Sequence, residues 1–100
     1  MRYKIEFTDD AKRQVKALTP AERALLLDTV GEQLAHEPTL PTRNRKLLRA
    51  NPLAPWALRI RHLRVYYGVS EKPEPLVTVR AIGVKIRNRV FVGTEEIELS

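Results

Sequence analysis

The chain has 100 residues, which is long enough for one compact domain and too short for two. With 43% hydrophobic and 30% charged residues, its composition is typical of a folded globular protein. The lack of cysteine excludes disulfides, thiolate metal sites and cysteine nucleophiles, and two isolated histidines predict no metal and no cofactor. The net charge is +6. The sequence shows neither the apolar segment of a signal peptide nor a run of about 18 apolar residues, so we expect a cytoplasmic protein that does not enter a membrane.

The first third of the chain predicts a strand followed by two helices. Apolar and charged residues alternate over about residues 2 to 7, which is the period of a strand with one buried face. Thr8 is a favourable N-cap for a first helix, and a capping box at Thr19 begins a second. The second helix ends before Pro38, because proline disfavours helical geometry in the preceding residue. We therefore predict a helical hairpin across residues 9 to 36.

The rest of the chain predicts a long loop and then strands. Residues 38 to 55 hold four of the seven prolines and show little periodicity, so we expect an extended loop with one helical turn around Lys46 to Ala50. Alternating apolar residues then indicate two strands that turn near Arg61 and His62. The predicted strands cover residues 56 to 61, 63 to 70, 76 to 83 and 89 to 92.

This order of elements predicts an α+β fold with a single domain over residues 1 to 100. An N-terminal strand and a helical hairpin precede a mainly antiparallel sheet of three to four strands. We expect the hairpin to cover one face of that sheet.

The positive charge is concentrated in the middle of the chain. Residues 38 to 70 hold seven Lys or Arg and no Asp or Glu, whereas the segments on either side are close to neutral. Such clustering favours a polyanionic partner such as nucleic acid. The alternative is a solvated basic surface with no special affinity.

Two segments together resemble the RelE/ParE superfamily of toxins from bacterial type II toxin-antitoxin systems. The first reads WALRIRHLRVYY over residues 56 to 67, and the second reads VRAIGVK over residues 79 to 85. The most specific element is Leu-Arg followed five residues later by Arg-Val-Tyr, and then a strand that ends in Ile-Gly before a basic residue. The resemblance covers nearly the whole chain.

The resemblance implies a toxin that a cognate antitoxin protein neutralises. RelE-like members cut mRNA on the ribosome without a metal, whereas ParE-like members inhibit DNA gyrase and have no catalytic activity. We expect an mRNA endoribonuclease that inhibits translation, with the ribosome and mRNA as further partners. The alternatives are a ParE-like gyrase inhibitor and a catalytically silent member that binds only its antitoxin and operator DNA.

The resemblance also indicates candidate site residues. Arg64 matches the family's catalytic arginine, and Lys85 lies where the family has a second basic residue. For each of these two residues, the alternative is a charged side chain that faces solvent and has no functional role. The residues expected to take part in catalysis are Arg64, Arg59, Lys46, Lys85 and His62, and those expected to bind RNA are Arg43, Arg45, Arg49, Arg61, Arg87 and Arg89.

Two departures from the family pattern affect the predicted chemistry. Pro55 and Ala57 occupy the places of two lysines, and Phe91 occupies the place of a tyrosine late in the last strand. Substitutes for the missing groups are Lys46 and Arg45 in the loop, His62 at the hairpin turn and Tyr66 beside Arg64. Histidine is the residue type whose unperturbed side chain changes charge near neutral pH, which suits proton transfer, but a polar turn residue is the slightly favoured interpretation of His62.

Two apolar features have a double interpretation. Trp56 alternates with Leu58 and Ile60, which predicts a core position rather than a base-stacking one. The run Leu25 to Leu27 is wider than one apolar stripe needs, so one of these leucines is expected either to be exposed for a partner or to widen the core contact.

Overall fold

The computed structural model describes residues 2 to 97. Two helices, α1 over Asp9–Lys16 and α2 over Pro20–Leu34, follow the first strand. The strands in chain order are β1 Lys4–Phe7, β2 Arg45–Leu47, β3 Trp56–Ile60, β4 Leu63–Ser70, β5 Leu76–Ile86, β6 Arg89–Val92 and β7 Glu95–Ile97. The predicted α+β fold with a helical hairpin is confirmed.

Both helices begin where the capping residues predicted. The Thr8 hydroxyl accepts a hydrogen bond from the Ala11 amide at the start of α1. At the start of α2, the Thr19 hydroxyl accepts from the Glu22 amide while the Glu22 carboxylate accepts from the Thr19 amide. Each cap satisfies amides that have no partner inside the helix.

The described strands form one sheet in the order β2-β3-β4-β5-β6-β7, with β1 paired to β5. All pairs are antiparallel except β1 with β5, which is parallel. The two short strands β1 and β6 share one edge of the long strand β5, since β1 pairs with its first half and β6 with its last. The sheet is therefore larger than the three or four strands expected after the hairpin.

The predicted helical turn around Lys46 to Ala50 is wrong. Residues Arg45–Leu47 form β2, which pairs with β3 at the edge of the sheet. The local sequence carries no clear strand signal, and the pairing is supplied by the hydrogen-bonding edge of β3, which is distant in sequence. β7 was also not predicted, because three residues are too few to show a period.

The main core lies between the helices and one face of the sheet. It includes Leu26 and Val30 from α2 and Leu58, Leu63 and Val65 from the central hairpin, all nearly inaccessible to solvent. Trp56 belongs to this core as the alternation predicted, and its ring stacks on that of Tyr67 with centroids 6.2 Å apart. The buried Tyr67 hydroxyl donates a hydrogen bond to the Pro38 carbonyl at 2.6 Å, which ties the central sheet to the start of the loop after α2.

The other face of the sheet carries a second, smaller core. Tyr66, Ala54 and Ala81 are buried there. Partly buried apolar side chains from the loop before β3 and from β6 and β7 pack against them: Leu48, Leu53, Ala57, Val90, Val92 and Ile97. The alternation of β4 puts Tyr66 on the face opposite the main core, and the segment before β3 together with β6 and β7 covers Tyr66 there.

Candidate functional site

An open cleft of about 210 Å³ lies on the sheet face opposite the helices. We call it the basic cleft. Its lining residues come from the segment around β2, from β3 and β4, and from the β6–β7 hairpin: Arg43, Asn44, Lys46, Leu48, Ala57, Arg59, Arg64, Tyr66, Val90 and Ile97. The cleft thus combines a cationic rim with an apolar floor.

Strand register brings the cations of the basic cleft together. Arg59 on β3 lies directly opposite Arg64 on β4, and Lys46 on β2 lies directly opposite Ala57 on β3. Ala57 in turn is paired with Tyr66. Because directly paired residues project from the same face of a sheet, Lys46, Arg59 and Arg64 point to one side. Three of the five predicted catalytic residues therefore meet in this cleft.

Arg64 is held in place by its own hairpin. Its Nη1 donates hydrogen bonds to the carbonyls of Arg61 at 2.7 Å and Leu63 at 2.9 Å. Burial lowers the pKa of Arg64, and the positive charge of Arg59 lowers it further. The residue remains a cation, since an arginine is effectively always protonated in a protein. Desolvation and like-charge repulsion both make an anionic ligand beside it favourable.

The cations of the basic cleft have no carboxylate partner within residues 2 to 97. The salt bridges in that range join Arg13 to Asp10, His62 to Glu22 and Arg89 to Glu96, and all three lie elsewhere. A cluster of like charges without counter-charges raises the local positive potential. The arrangement suits a phosphate-bearing ligand that supplies the missing negative charge.

The aromatic floor of the cleft depends on small neighbours. Ala57 and Ala81 flank Tyr66 on the two adjoining strands. A methyl group added at Gly83 would lie 3.0 Å from Tyr66 Cε2 and 2.8 Å from Val90 Cγ1, so only glycine leaves room for both side chains. The Gly83 of the family-like Ile-Gly element therefore has a packing role beneath the site.

Several predicted residues lie outside the basic cleft. His62 Nε2 is hydrogen-bonded to Glu22 Oε2 at 2.5 Å and so faces α2. Arg45 pairs with the buried Leu58, and its Nη1 donates to the Gln33 carbonyl at 2.6 Å, near the end of α2. A cation suits that helix end, so the position of Arg45 has a structural explanation. The structure brings neither side chain to the cleft.

Of the other predicted residues, Arg43 lines the basic cleft, whereas Lys85, Arg49, Arg61, Arg87 and Arg89 do not. Lys85 is exposed, and its amide donates to the His62 carbonyl at 2.7 Å, which places the two adjacent hairpin turns side by side. Arg61 and Arg87 begin those turns with φ of 56° and 59°, a region that normally favours glycine or asparagine. The exposed cations at this end of the sheet are Arg61, Lys85, Arg87 and Arg89, and Arg49 is exposed in the loop after β2.

The three residues at which the chain departs from the family pattern occupy different places. Ala57 lines the basic cleft beside Lys46, whereas Pro55 is exposed and does not line it. Phe91 pairs with Val84, whose face is opposite that of Gly83 and Arg64. A hydroxyl at position 91 would therefore point away from the cleft.

The apolar part of the site is what the sequence did not predict. Leu48, Val90 and Ile97 line the cleft together with Asn44, and the sequence analysis assigned none of them to the site. The β2–β3, β5–β6 and β6–β7 pairings bring these residues there. Within the same described range, no group of three or more histidine or acidic residues could hold a metal ion. Neither helix in that range has the length and apolar character needed to cross a membrane.

Comparison with solved structures shows the fold directly. The chain superposes on a chain of the crystal structure of the toxin-antitoxin complex RelBE2 from Mycobacterium tuberculosis with a TM-score of 0.68. The match covers 95% of both chains at 22% sequence identity. No protein-family model matches the sequence, and no curated protein matches it either. The expected RelE-like fold is confirmed.

Proposed function

We propose that this protein is the toxin of a type II toxin-antitoxin module and acts in the cytoplasm as a metal-independent mRNA endoribonuclease on the ribosome. The basic cleft is the observation that carries the proposal, because it gathers Arg43, Lys46, Arg59 and Arg64 with no described carboxylate to neutralise them. The fold shared with a chain of a toxin-antitoxin complex supports the toxin role and a cognate antitoxin as partner.

The proposed reaction is attack of a ribose 2′-oxygen on the adjacent phosphorus. As the new O–P bond forms and the P–O5′ bond breaks, negative charge accumulates on the phosphoryl oxygens. Arg59 and Arg64 stabilise that charge from fixed positions on paired strands. The 2′-hydroxyl proton passes to water, and the Lys46 ammonium donates a proton to O5′. The products are a 2′,3′-cyclic phosphate and a 5′-hydroxyl.

The cations outside the cleft have a supporting role in this proposal. Lys85, Arg61, Arg87 and Arg89 form a basic end of the sheet beside the hairpin turns, where a polyanion can contact them. His62 is assigned to the same end rather than to proton transfer, because its ring is bonded to Glu22.

The test is cleavage of message on purified ribosomes. With wild-type protein, reverse transcription should show new 5′ ends within codons, and Arg64→Ala should abolish them. Lys12→Ala is the matched control, since Lys12 is an exposed cation on α1. Messages that stay intact with folded wild-type protein would rule out the nuclease.

A gyrase-inhibitor role is the second candidate, and one observation favours it. Of the leucine run on α2, Leu26 is fully buried whereas Leu27 keeps 46% of its surface exposed, which leaves an apolar side chain for a protein partner. Inhibition of DNA supercoiling by purified gyrase, lost in Leu27→Glu and retained in Arg64→Ala, would favour this role over the nuclease.

A further inference from the structure

Tyr66 stands out in the basic cleft because its ring and its hydroxyl are in different surroundings. The residue as a whole is only 4% exposed. Its hydroxyl makes no hydrogen bond among residues 2 to 97. In that range, Arg45 Nε is the one side-chain polar atom that is both sealed from solvent and without a hydrogen-bond partner, so the unpaired Tyr66 hydroxyl is in contact with solvent. The ring is therefore packed while the hydroxyl reaches the cleft that Tyr66 lines.

The packing of the ring decides which part of Tyr66 can meet a ligand. Ala57 and Ala81 lie on either side of it, and Gly83 leaves the space that its Cε2 edge occupies. A ring so enclosed has no free face on which a nucleobase could stack. What Tyr66 can offer to a ligand is a single O–H donor.

The electrostatic surroundings keep that hydroxyl a donor. Burial raises the pKa of Tyr66, while the positive charge of Arg64 opposes the shift. Arg64 is two residues away on the same strand and faces the same cleft, so a ligand oxygen bound by Arg64 comes within the neighbourhood of the phenol. A neutral O–H beside two arginines adds a directed hydrogen bond to an anionic oxygen without adding more positive charge.

We propose that the Tyr66 hydroxyl donates a hydrogen bond to a non-bridging oxygen of the phosphate bound between Arg59 and Arg64, and so is a further catalytic residue of the basic cleft. This inference rests on the proposed function for the identity of the ligand as an RNA phosphate. A role for the Tyr66 hydroxyl also fits the presence of Phe91. The family pattern has a tyrosine at that place, but a hydroxyl at position 91 would lie on the sheet face opposite the basic cleft.

The test separates contact with phosphate from catalysis. The probe is a dinucleoside monophosphate with a 2′-deoxy 5′ sugar, which has one phosphate and cannot be cleaved, and its uncharged methylphosphonate analogue. Affinities for wild type and Tyr66→Phe are measured by NMR titration. Because a hydrogen bond to a charged oxygen is lost, Tyr66→Phe should bind the phosphate probe about tenfold more weakly. The loss for the methylphosphonate should be clearly smaller, because its neutral phosphoryl oxygen is a weaker acceptor.

Two controls accompany the variant. Tyr3→Phe removes a hydroxyl that bonds to Glu71, away from the cleft, and should leave both affinities unchanged. Phe91→Tyr in the Tyr66→Phe background adds a hydroxyl on the opposite face and should restore nothing. The Tyr66→Phe protein keeps the buried ring, so its melting temperature should match that of wild type.

The outcomes distinguish this contact from the proposed function. An equal loss for both probes, no loss for either, or no binding of the phosphate probe by wild type would overturn the Tyr66 contact. A phosphate-specific loss in a protein that leaves ribosome-bound messages intact would keep the contact and overturn the nuclease. A phosphate-specific loss with a fall in cleavage of about tenfold or more would support both.

Discussion

Arg59 and Arg64 lie directly opposite each other on the antiparallel strands β3 and β4. Like charges in this position destabilise a strand pair, and the repulsion contributes to the lowered pKa of Arg64. A protein selected for stability alone gains nothing from such a pair. The unfavourable pair becomes favourable when an anion binds between the two guanidinium groups, which is the physical argument for a phosphate site here.

Removing the repulsion between Arg59 and Arg64 should weaken RNA binding without lowering the stability of the fold. Arg59→Gln is expected to leave the free energy of unfolding unchanged or to raise it by up to about 0.5 kcal/mol, because one like-charge pair is lost. The log-log salt slope for binding single-stranded RNA should fall by about 0.7, since one phosphate contact is lost. Urea denaturation and salt-dependent titrations measure the two quantities, with Lys12→Gln as control. A clear destabilisation by Arg59→Gln would contradict the assignment.

Arg64→Ala should affect both stability and activity. Arg64 is half-buried, and its guanidinium donates two hydrogen bonds to carbonyls of its own hairpin. We expect a loss of about 1 kcal/mol in unfolding free energy and a fall in cleavage of about 10² or more.

Arg64→Lys provides the conservative comparison. A point charge cannot reproduce the planar fork, so it should recover only part of the cleavage. A folded Arg64→Ala protein with wild-type cleavage on ribosomes would remove Arg64 from the site.

Lys46 and Ala57 are directly paired on neighbouring strands, so a lysine at position 57 should be able to replace the amine of Lys46. Lys46→Ala should lower cleavage about 10²-fold if this ammonium protonates the leaving oxygen. Ala57→Lys in the same background places an amine on the directly paired position, about 4.8 Å away, and should restore at least part of the rate. Pro55→Lys is the matched control, because Pro55 does not line the basic cleft. Equal rescue by both lysines would contradict a site defined by strand register.

The two adjacent tyrosines of β4 should differ in their effect on stability. Tyr67→Phe leaves the buried Pro38 carbonyl without the hydroxyl that now donates to it at 2.6 Å, and should cost about 1 to 3 kcal/mol of unfolding free energy. Tyr66→Phe should change it by less than about 0.5 kcal/mol, since that hydroxyl has no partner in the described range. Chemical denaturation of both variants measures the difference, and equal costs would contradict these assignments.

The His62–Glu22 pair predicts a specific pH dependence of stability. The hydrogen bond from His62, followed by that from the Thr19 amide, lowers the pKa of Glu22 below its ordinary 4.5. A lowered pKa in the folded state means that the contribution is present above pH 4.5 and is lost as the pH falls through the lowered value.

Glu22→Gln isolates this contribution. At pH 7 we expect it to destabilise the protein by less than about 1 kcal/mol, because the pair is solvent-exposed, and the difference from wild type should shrink in acid. Glu32→Gln, another exposed carboxylate of α2, is the control and should show no such trend. A difference between wild type and Glu22→Gln that grows as the pH falls would contradict the pairing.

The local signals of the chain were sufficient for most elements. Thr8 and Thr19 marked the helix starts because caps act within a few residues, and the alternation from residue 56 to 70 marked the central hairpin because each residue's side is set by the backbone period. The β2 strand was missed because Arg45–Leu47 has no preference of its own and exists by pairing with β3.

The sequence predicted only some of the residues that line the basic cleft. Arg59 and Arg64 belong to one hairpin, so their proximity followed from the sequence. His62 and Arg45 were expected near the same site, but each finds a partner on α2, and such long-range hydrogen bonds leave no local pattern.

By itself, the sequence determined the α+β class, the helical hairpin, the concentration of positive charge between residues 38 and 70, and the resemblance to RelE/ParE toxins. These follow from composition, periodicity and capping, which act over a few residues. Tertiary structure alone decided that Lys46 faces Ala57, that Gly83 makes room for Tyr66 and that Phe91 points away from the cleft. Each of these depends on strand register, because a shift of one residue turns a side chain to the other face of the sheet.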